Sequence, residues 1–522
     1  MTMIFPKGFM FGTATAAYQI EGAVAEGGRT PSIWDTFSHT GHTLNGDTGD
    51  VADDFYHRWE DDLKLLRDLG VNAYRFSIGI PRVIPTPDGK PNQEGLDFYS
   101  RIVDRLLEYG IAPIVTLYHW DLPQYMASGD GREGGWLERE TAYRIADYAG
   151  IVAKCLGDRV HTYTTLNEPW CSAHLSYGGT EHAPGLGAGP LAFRAAHHLN
   201  LAHGLMCEAV RAEAGAKPGL SVTLNLQICR GDADAVHRVD LIGNRVFLDP
   251  MLRGRYPDEL FSITKGICDW GFVCDGDLDL IHQPIDVLGL NYYSTNLVKM
   301  SDRPQFPQST EASTAPGASD VDWLPTAGPH TEMGWNIDPD ALYETLVRLN
   351  DNYPGMPLVV TENGMACPDK VEVGTDGVKM VHDNDRIDYL RRHLEAVYRA
   401  IEEGTDVRGY FAWSLMDNFE WAFGYSKRFG LTYVDYESQE RIKKDSFDWY
   451  RRFIADHSAR LGHPQLPTPA ASGFFAGSSR CCVWGIFEHR GAKTCCSSCR
   501  QHVVAVGDEP LSTPDESHIR GR

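Results

Sequence analysis

Apolar and polar residues follow two different patterns along about the first 455 residues. Short apolar runs are predicted to be β-strands, at residues 12–19, 73–78, 112–118, 161–166, 220–226, 287–292, 358–361 and 409–413. Several are almost continuously apolar, as in parallel strands that are buried on both faces. The longer stretches between them repeat apolar residues every three or four positions, which predicts helices at residues 54–69, 95–109, 141–156, 191–211 and 386–403.

Eight strands that alternate with helices indicate an α/β protein. The arrangement that accommodates them is a closed (β/α)8 TIM barrel, which forms a single catalytic domain. An open, doubly wound parallel sheet is the alternative. That fold usually carries a Gly-x-Gly-x-x-Gly turn after its first strand, and neither this turn nor a P-loop occurs in the sequence. The barrel is therefore the predicted fold.

Composition and charge narrow the classes of function. The chain has 522 residues, with 71 Asp or Glu and 48 Lys or Arg, so its formal net charge is −23. Nucleic-acid binding needs basic patches, and this acidity argues against it. No apolar run reaches the 18 residues of a membrane span, and the first residues lack the pattern of a signal peptide. We expect a cytoplasmic protein with a small-molecule ligand.

The pattern changes at about residue 461. Seven cysteines are scattered between Cys155 and Cys367, as reduced thiols would be, whereas five crowd into the last 42 residues. We expect residues 1–460 to form the barrel and residues 461–522 to be a cysteine-containing, disordered tail. A zinc site is the alternative for the tail, but one loosely placed Cys-x-x-Cys is weak evidence for it.

Two predicted strands run directly into a glutamate. The fourth leads to Glu168 and the seventh to Glu362. Because active sites of TIM barrels lie at the carboxyl ends of the strands, both side chains are expected to face one pocket. Glycosidic cleavage requires such a pair, since one carboxyl group protonates the departing oxygen and the other attacks or stabilises the anomeric carbon. Either residue alone would be an ordinary strand-end carboxylate.

Other strand ends carry side chains that suit a sugar. Polar side chains hydrogen-bond to hydroxyls, and tryptophan offers a flat apolar face with an N–H at its edge. The residues of this kind are Gln19, His119, Trp120, Trp413, Glu420 and Trp421. Any one of them could be a packing residue; together with the paired glutamates they predict a sugar site.

These motifs resemble glycoside hydrolase family 1, which includes β-glucosidases. The resemblance covers residues 4–455 and rests on Thr-Leu-Asn167-Glu168-Pro-Trp, Val-Thr-Glu362-Asn-Gly, Tyr74-Arg75-Phe-Ser, Tyr118-His119-Trp120-Asp, Leu290-Asn291-Tyr-Tyr293 and Asn418-Phe-Glu420-Trp421. One departure is the stretch Gly79-Ile80 before Pro-Arg, where the family commonly has a tryptophan. A second departure is the tail.

The resemblance implies a role for each central residue. Glu168 would be the general acid and then the general base, and Glu362 the nucleophile that forms a covalent glycosyl-enzyme. Arg75 and Tyr293 would contact Glu362, and Asn291 would support the site beside Glu168. The carboxyl groups would lie about 5 Å apart, the separation that retains configuration.

Sugar contacts are implied as well. The residues implied to bind the glycone are Gln19, His119, Trp120, Asn167, Trp413, Glu420 and Trp421. Those implied on the leaving-group side are Trp335, Asn225, Cys171 and His182. No cofactor and no catalytic metal are expected.

The substrate class can be narrowed further. Relatives that act on 6-phosphorylated sugars replace the glutamate at position 420 with serine, and a carboxylate there would repel phosphate. We expect an exo-acting β-glucosidase for cello-oligosaccharides and for aryl or alkyl β-glucosides, with transglycosylation and β-galactosidase or β-fucosidase side activity. The alternatives are a 6-phospho-β-glycosidase and a catalytically dead sugar-binding protein. A homo-oligomeric state is left open.

Overall fold

The computed structural model describes residues 3–128, 133–302 and 312–460. Eight parallel strands close into a barrel in which each strand pairs with its neighbours in chain order and the last pairs with the first. They are β1 Met10–Ala14, β2 Ala73–Ser77, β3 Ala112–Tyr118, β4 Thr162–Asn167, β5 Gly219–Asn225, β6 Val287–Asn291, β7 Leu358–Asn363 and β8 Val407–Trp413. The predicted (β/α)8 TIM barrel is confirmed.

Helices surround the barrel and bury the apolar stripes that the periodicity predicted. The longer ones are Phe55–Leu69, Gln93–Glu108, Arg139–Leu156, Leu191–Ala214, Pro339–Asn352, Asn384–Glu402 and Asp445–Arg460. Between β5 and β6 the chain forms the shorter helices Ala233–Asp240, Val246–Arg253, Asp258–Ile263 and Asp277–Ile281. In the described ranges, none of the helices is long and apolar enough to cross a membrane.

The first strand is shorter than predicted. It ends at Ala14, and the chain then turns into a short helix, Ala17–Ile20, so Gln19 lies on this helix and not on a strand. The apolar run continues through both elements, and a short apolar run does not by itself distinguish a strand from a buried helical turn. Helical hydrogen bonding begins when the Gln19 N–H donates to the Ala16 carbonyl at 3.1 Å.

A small sheet lies beside the barrel on the loops that follow β5 and β6. We call it the rim sheet; its strands are Cys229–Gly231, Asn296–Met300 and Val321–Leu324. The other two-stranded ribbons are Ala127–Ser128 with Glu133–Gly134, Val371–Val373 with Lys379–Val381, and Thr432–Val434 with Arg441–Lys443.

The Gly79-Ile80 departure has a local structural basis. The Gly79 N–H donates to the Tyr99 hydroxyl at 2.7 Å, and a Cβ on Gly79 would lie 2.9 Å from the same oxygen. Ile80 is fully buried. This strand end is therefore closely packed without a tryptophan. The predicted tail, residues 461–522, lies outside the described residues.

Candidate active site

A cavity of about 400 Å³ opens at the carboxyl end of the barrel. We call it the barrel pocket. The residues proposed from the sequence that line it are His119, Trp120, Glu168, Cys171, His182, Asn225, Asn291, Tyr293, Trp335, Glu362, Trp413, Glu420 and Trp421. Gln19, Arg75 and Asn167 lie behind this lining and hydrogen-bond to residues within or next to it.

Both glutamates follow an irregularity in strand pairing. The register of β4 against β5 shifts between Thr164 and Asn167, and that of β7 against β6 shifts between Val360 and Glu362. Bulges of this kind redirect a side chain at the rim of a barrel. Glu168 also has a positive φ of 47°, a backbone conformation that is uncommon for a side-chain-bearing residue and is concentrated at functional sites.

Glu362 is held by one cation and one phenol. Arg75 Nη1 donates to Glu362 Oε1 at 2.5 Å, and the Tyr293 hydroxyl donates to Glu362 Oε2 at 2.8 Å. Arg75 is fully buried, so this ion pair is shielded from solvent. The two contacts fix the orientation of the carboxylate and favour its charged form. The expected contacts of Arg75 and Tyr293 with Glu362 are present.

Glu168 has neutral partners instead. Asn291 Nδ2 donates to Glu168 Oε1 at 2.6 Å, and the Cys171 thiol donates to Glu168 Oε2 at 3.1 Å. Thr361 donates to Asn291 Oδ1 at 2.8 Å, which fixes that amide. Asn291 thus stands beside Glu168 as expected, and Cys171 contacts the carboxyl group directly.

A hydrogen-bond network links the two glutamates and determines the tautomer of His119. Asn167 Oδ1 accepts from Arg75 at 2.7 Å and from Asn291 at 3.1 Å. The Asn167 amide nitrogen therefore faces His119 Nε2, at 3.0 Å, which must act as acceptor. Burial and the charge of Arg75 hold the pKa of His119 well below its ordinary value. The neutral ring carries its proton on Nδ1, which has no partner within the described part of the chain.

Different neighbours act on the pKa values of the two glutamates. Burial raises the pKa of Glu168 to about 7, and the charge of Glu362 adds to the rise. Burial also raises the pKa of Glu362, but Arg75 and Tyr293 oppose that rise. Because a guanidinium touches Glu362 and only neutral donors touch Glu168, a proton shared by the pair belongs on Glu168.

Some buried polar atoms in and behind the pocket lining have no hydrogen-bond partner in the described chain. Gln19 Nε2 donates to Asn418 Oδ1 and to the Phe419 carbonyl, at 3.0 and 2.8 Å. Gln19 Oε1 and Glu420 Oε2 accept no hydrogen bond from any described residue. Burial, with the charges of Glu362 and Glu168, raises the pKa of Glu420 to about 8. Buried polar atoms normally have partners, so these atoms indicate where a ligand's hydroxyls would bind.

Aromatic rings form the remaining wall. Trp421 lies 4.5 Å from Trp120 and 6.0 Å from His119, measured between ring centroids, and Trp335 lies 5.3 Å from Tyr293. The Trp120 indole donates to the Asn167 carbonyl at 2.9 Å, so this tryptophan also positions the Asn167 backbone.

Sequence reasoning missed several residues that line the barrel pocket. They are Trp170, Leu175, Leu226, Gln227, Ser294, Asn296, Met333 and Phe423. Most of them follow the ends of β4, β5 and β6 by a few residues, and this position is the signal that could have identified them. Met333 and Phe423 lie farther along the loops after β6 and β8. As for metals, no group of three or more ligating side chains occurs among the residues that the structure describes.

Comparison with known proteins places the chain among enzymes. The family model of glycosyl hydrolase family 1 matches residues 1–459. The chain is 47% identical over 463 residues to thermostable β-glucosidase B from Thermobispora bispora, which covers 88% of this chain and 92% of that protein. It is 43% identical to β-glucosidase A from Thermotoga maritima, over 87% of this chain and 98% of that one.

Solved structures agree with this assignment. The β-glucosidase from Exiguobacterium antarcticum superposes with a TM-score of 0.80 at 42% identity, over 88% of this chain and all of that one. The β-glucosidase from Thermotoga maritima in complex with deoxynojirimycin gives a TM-score of 0.78 at 42% identity, over 87% and 99% of the two chains. This chain is therefore a glycoside hydrolase that belongs to glycosyl hydrolase family 1.

Proposed function

We propose that the chain is a retaining exo-β-glucosidase that releases terminal, non-reducing β-D-glucosyl residues from cello-oligosaccharides and from aryl or alkyl β-glucosides. The observation that carries the proposal is the pair of buried glutamates in one pocket with opposite sets of partners. Glu362 is in contact with a cation, and Glu168 has neutral donors and a pKa raised to about 7 by burial and by its neighbour. These are the protonation states that double displacement needs.

In the first step, Glu362 attacks the anomeric carbon while Glu168 gives its proton to the departing glycosidic oxygen. The bond from the anomeric carbon to that oxygen breaks, and a covalent bond to Glu362 forms. Glu362 is then an ester and carries no charge. Glu168 thereby loses a repulsive neighbour as well as its proton, so it becomes a base of suitable strength.

In the second step, Glu168 takes a proton from water, which attacks the glycosyl–Glu362 ester and releases the sugar with its configuration retained. A sugar hydroxyl can replace water at this stage, so we include transglycosylation in the proposal. Arg75 and Tyr293 stabilise Glu362 as it leaves and regains its charge.

The choice of an unphosphorylated glucoside rests on the glycone side. Glu420 lines the barrel pocket together with Glu362. The charge of Glu362 would repel an anionic substrate group, and Glu420 offers no positive charge to bind one. The Lys427 ammonium, which could in principle attract a phosphate, donates to the Glu332 carbonyl at 2.6 Å. β-Galactosidase and β-fucosidase side activities belong to the same proposal, since the same residues face each sugar.

We also propose a cytoplasmic location. The cysteines of the described ranges, from Cys155 to Cys367, are all free thiols. Unpaired cysteines are typical of reducing compartments.

Hydrolysis of an aryl β-D-glucoside by the full chain, followed by proton NMR of the first-formed sugar, tests the proposal. We expect β-glucose to appear first, with α-glucose only from later mutarotation. First-formed α-glucose would contradict the covalent role of Glu362. Turnover of a 6-phosphoglucoside alone would favour the phospho-β-glycosidase, and binding without turnover of either would favour a sugar-binding protein.

A further inference from the structure

A row of small residues crosses three neighbouring strands of the barrel. It consists of Thr223 on β5, Gly289 on β6 and Thr361 on β7. Thr223 is the register partner of Gly289, and β7 pairs with the other side of β6. Both threonines are buried. The row therefore lies inside the protein, on the strands whose ends carry Asn291 and Glu362.

The missing side chain of Gly289 lets the two threonine hydroxyls meet across β6. A Cβ on Gly289 would lie 2.5 Å from Thr223 Oγ1 and 3.1 Å from Thr361 Oγ1, so any larger residue would push the hydroxyls apart. With glycine in this place, the Thr223 hydroxyl donates to the Thr361 hydroxyl at 3.3 Å. Glycine inside a strand often marks such a close approach. Here it makes room for a hydrogen bond between two strands that are not neighbours.

The two hydroxyls begin a hydrogen-bond chain with a fixed direction. The Thr361 hydroxyl has one proton and gives it to Asn291 Oδ1 at 2.8 Å, so towards Thr223 it acts as the acceptor. Asn291 Nδ2 in turn donates to Glu168 Oε1 at 2.6 Å. The chain therefore ends at the carboxyl group that is proposed to act as acid and base.

Asn291 has to present its nitrogen to Glu168 and not its oxygen. An amide oxygen would be repelled by the ionised carboxyl group, and rotation about one bond exchanges the two ends of the amide. Asn291 is buried, and within the described part of the chain Thr361 is the donor to its oxygen. Without that donor the oxygen would be a buried acceptor with no partner, which destabilises the present orientation of the amide.

We propose that Thr361 is a positioning residue for the acid–base steps: its hydroxyl, held by Thr223, keeps the nitrogen of Asn291 against Glu168. Neither threonine lines the barrel pocket, so both act through Asn291 and not on the sugar. The inference rests on the proposed function and deepens it, because it extends the support of Glu168 to two residues outside the pocket.

This arrangement has a consequence for the pH dependence. The hydrogen bond from Asn291 favours the ionised form of Glu168 and lowers its pKa, against the effect of burial. A misplaced amide should raise that pKa and shift the basic side of the pH profile of kcat/KM to higher pH. A substitution of Thr361 leaves the other charged or titratable groups that face Glu168 in place; they are Arg75, Cys171, Tyr293, Glu362 and Glu420.

The test compares Thr361→Val, Thr361→Ser and Thr164→Val in the full chain. Valine removes the hydroxyl at a similar volume, and serine keeps it. Thr164 provides a matched control, because it is fully buried and its hydroxyl forms a 2.6 Å hydrogen bond with the Ser221 hydroxyl, which does not lead to Asn291. The kcat/KM values are measured across pH for phenyl β-D-glucoside and for dinitrophenyl β-D-glucoside, whose leaving group needs little protonation.

Thr361→Val should lower kcat/KM for the phenyl glucoside by about 10- to 100-fold. It should also shift the basic side of the pH profile upward by up to about one pH unit. The dinitrophenyl glucoside should lose no more than about threefold. Thr361→Ser and Thr164→Val should stay within about threefold of the unchanged chain for both substrates.

Two results would overturn the inference. One is an equal loss with both glucosides in Thr361→Val, because loss of help from the acid acts mainly on the poorer leaving group. The other is a loss in Thr361→Ser equal to that in Thr361→Val, which would assign the effect to packing. If Thr361→Val does not fold, Thr223→Val decides: a smaller loss confined to the phenyl glucoside supports the chain, and unchanged kinetics overturn it.

Absence of glucosidase activity in the unchanged chain would instead refute the proposed function. In that event, carbon-13 NMR of the Glu168 carboxyl group, assigned with Glu168→Gln, decides the inference. A pKa of Glu168 that is higher in Thr361→Val than in the unchanged chain supports it, and an equal pKa overturns it.

Discussion

Two buried groups of charges near the carboxyl end of the barrel are organised in opposite ways. One is the pocket triad, which consists of Glu168, Glu362 and Glu420. The other, which we call the paired cluster, consists of Asp369, Asp383, Asp417, Arg386, Arg428 and Lys444. Both are removed from solvent. In the described chain, the three carboxyl groups of the triad have one cation in contact, Arg75, whereas the three carboxylates of the paired cluster have three.

In the paired cluster every carboxylate has a cation. Lys444 Nζ lies 2.5 Å from Asp369 Oδ2 and 2.7 Å from Asp417 Oδ1, and Arg386 pairs with both Asp369 and Asp383. Burial would raise the pKa of Asp369, but Lys444 and Arg386 hold it below its ordinary value. Asp369 therefore stays ionised near neutral pH.

In the pocket triad, burial raises the pKa of all three carboxyl groups, and Arg75 makes direct contact with Glu362. Acceptor atoms of Gln19 and Glu420 have no partner in the described chain. The comparison shows that fully paired charges stabilise the fold. Carboxyl groups with fewer cations than they could pair with, held in a rigid pocket, serve proton transfer and ligand binding.

The largest expected effect comes from Glu362→Gln. Removal of a covalent nucleophile should lower kcat by about 10⁴-fold or more. The melting temperature should fall as well, because buried Arg75 loses its charged partner and keeps only neutral acceptors. Activity assays together with thermal unfolding would measure both. A folded variant that keeps most of its activity would contradict the role of Glu362 as the nucleophile.

Glu168→Ala should follow, with a loss of about 10²- to 10⁴-fold for substrates whose leaving group needs protonation. An activated aryl glucoside should be affected least in the first step. Added azide should restore turnover by attacking the glycosyl–Glu362 ester without base assistance, and the product should be β-glucosyl azide. An α-configured azide would reverse the assigned roles.

Lys444→Met probes the paired cluster. It removes one cation from Asp369 and Asp417, so the free energy of unfolding should fall by about 3–5 kcal/mol. The kcat/KM of the folded protein should change little. The matched control is Lys443→Met, since Lys443 forms an exposed pair with Asp68 at 2.8 Å and should contribute about 0–1 kcal/mol. Equal destabilisation by the two variants would show that burial of the pair is immaterial.

Glu420→Gln tests the acceptor that faces the glycone. Loss of a charge-capable hydrogen-bond partner should lower kcat/KM for a β-glucoside by about 10- to 100-fold, with the melting temperature unchanged. The same variant should discriminate less against a 6-phosphoglucoside above about pH 8, because the amide cannot ionise beside the phosphate as Glu420 does. Unchanged kinetics with both sugars would remove Glu420 from the proposed glycone site.

The smallest effect is expected for Cys171→Ala. Glu168 acts as an acid in its protonated form, so kcat/KM should fall as pH rises through its pKa of about 7. The Cys171 thiol stabilises the ionised form of Glu168. Its removal should shift the basic side of the pH profile of kcat/KM to higher pH, by up to about one pH unit. Cys207→Ala, a change at another buried thiol, should leave the pH profile of kcat/KM unchanged.

The functional side chains at the ends of the strands could be predicted well from the sequence. The boundaries of the strands and helices could be predicted less well. The glutamates stand next to apolar runs in distinctive motifs, so their shared pocket follows from barrel geometry alone. Gln19 was placed on a strand because small apolar residues continue through a change of backbone conformation. Several residues that line the barrel pocket were missed, because they lie on loops whose path depends on contacts between distant segments.

The sequence by itself determined the barrel, the paired glutamates and the residue types around them, because these depend on local periodicity and on short motifs. Only the tertiary structure decided which glutamate receives the guanidinium, which nitrogen of His119 carries the proton, and which polar atoms have no partner. These properties arise when side chains from β2, β4, β6 and β7 meet in a buried space, where each contact affects the charge state of the next.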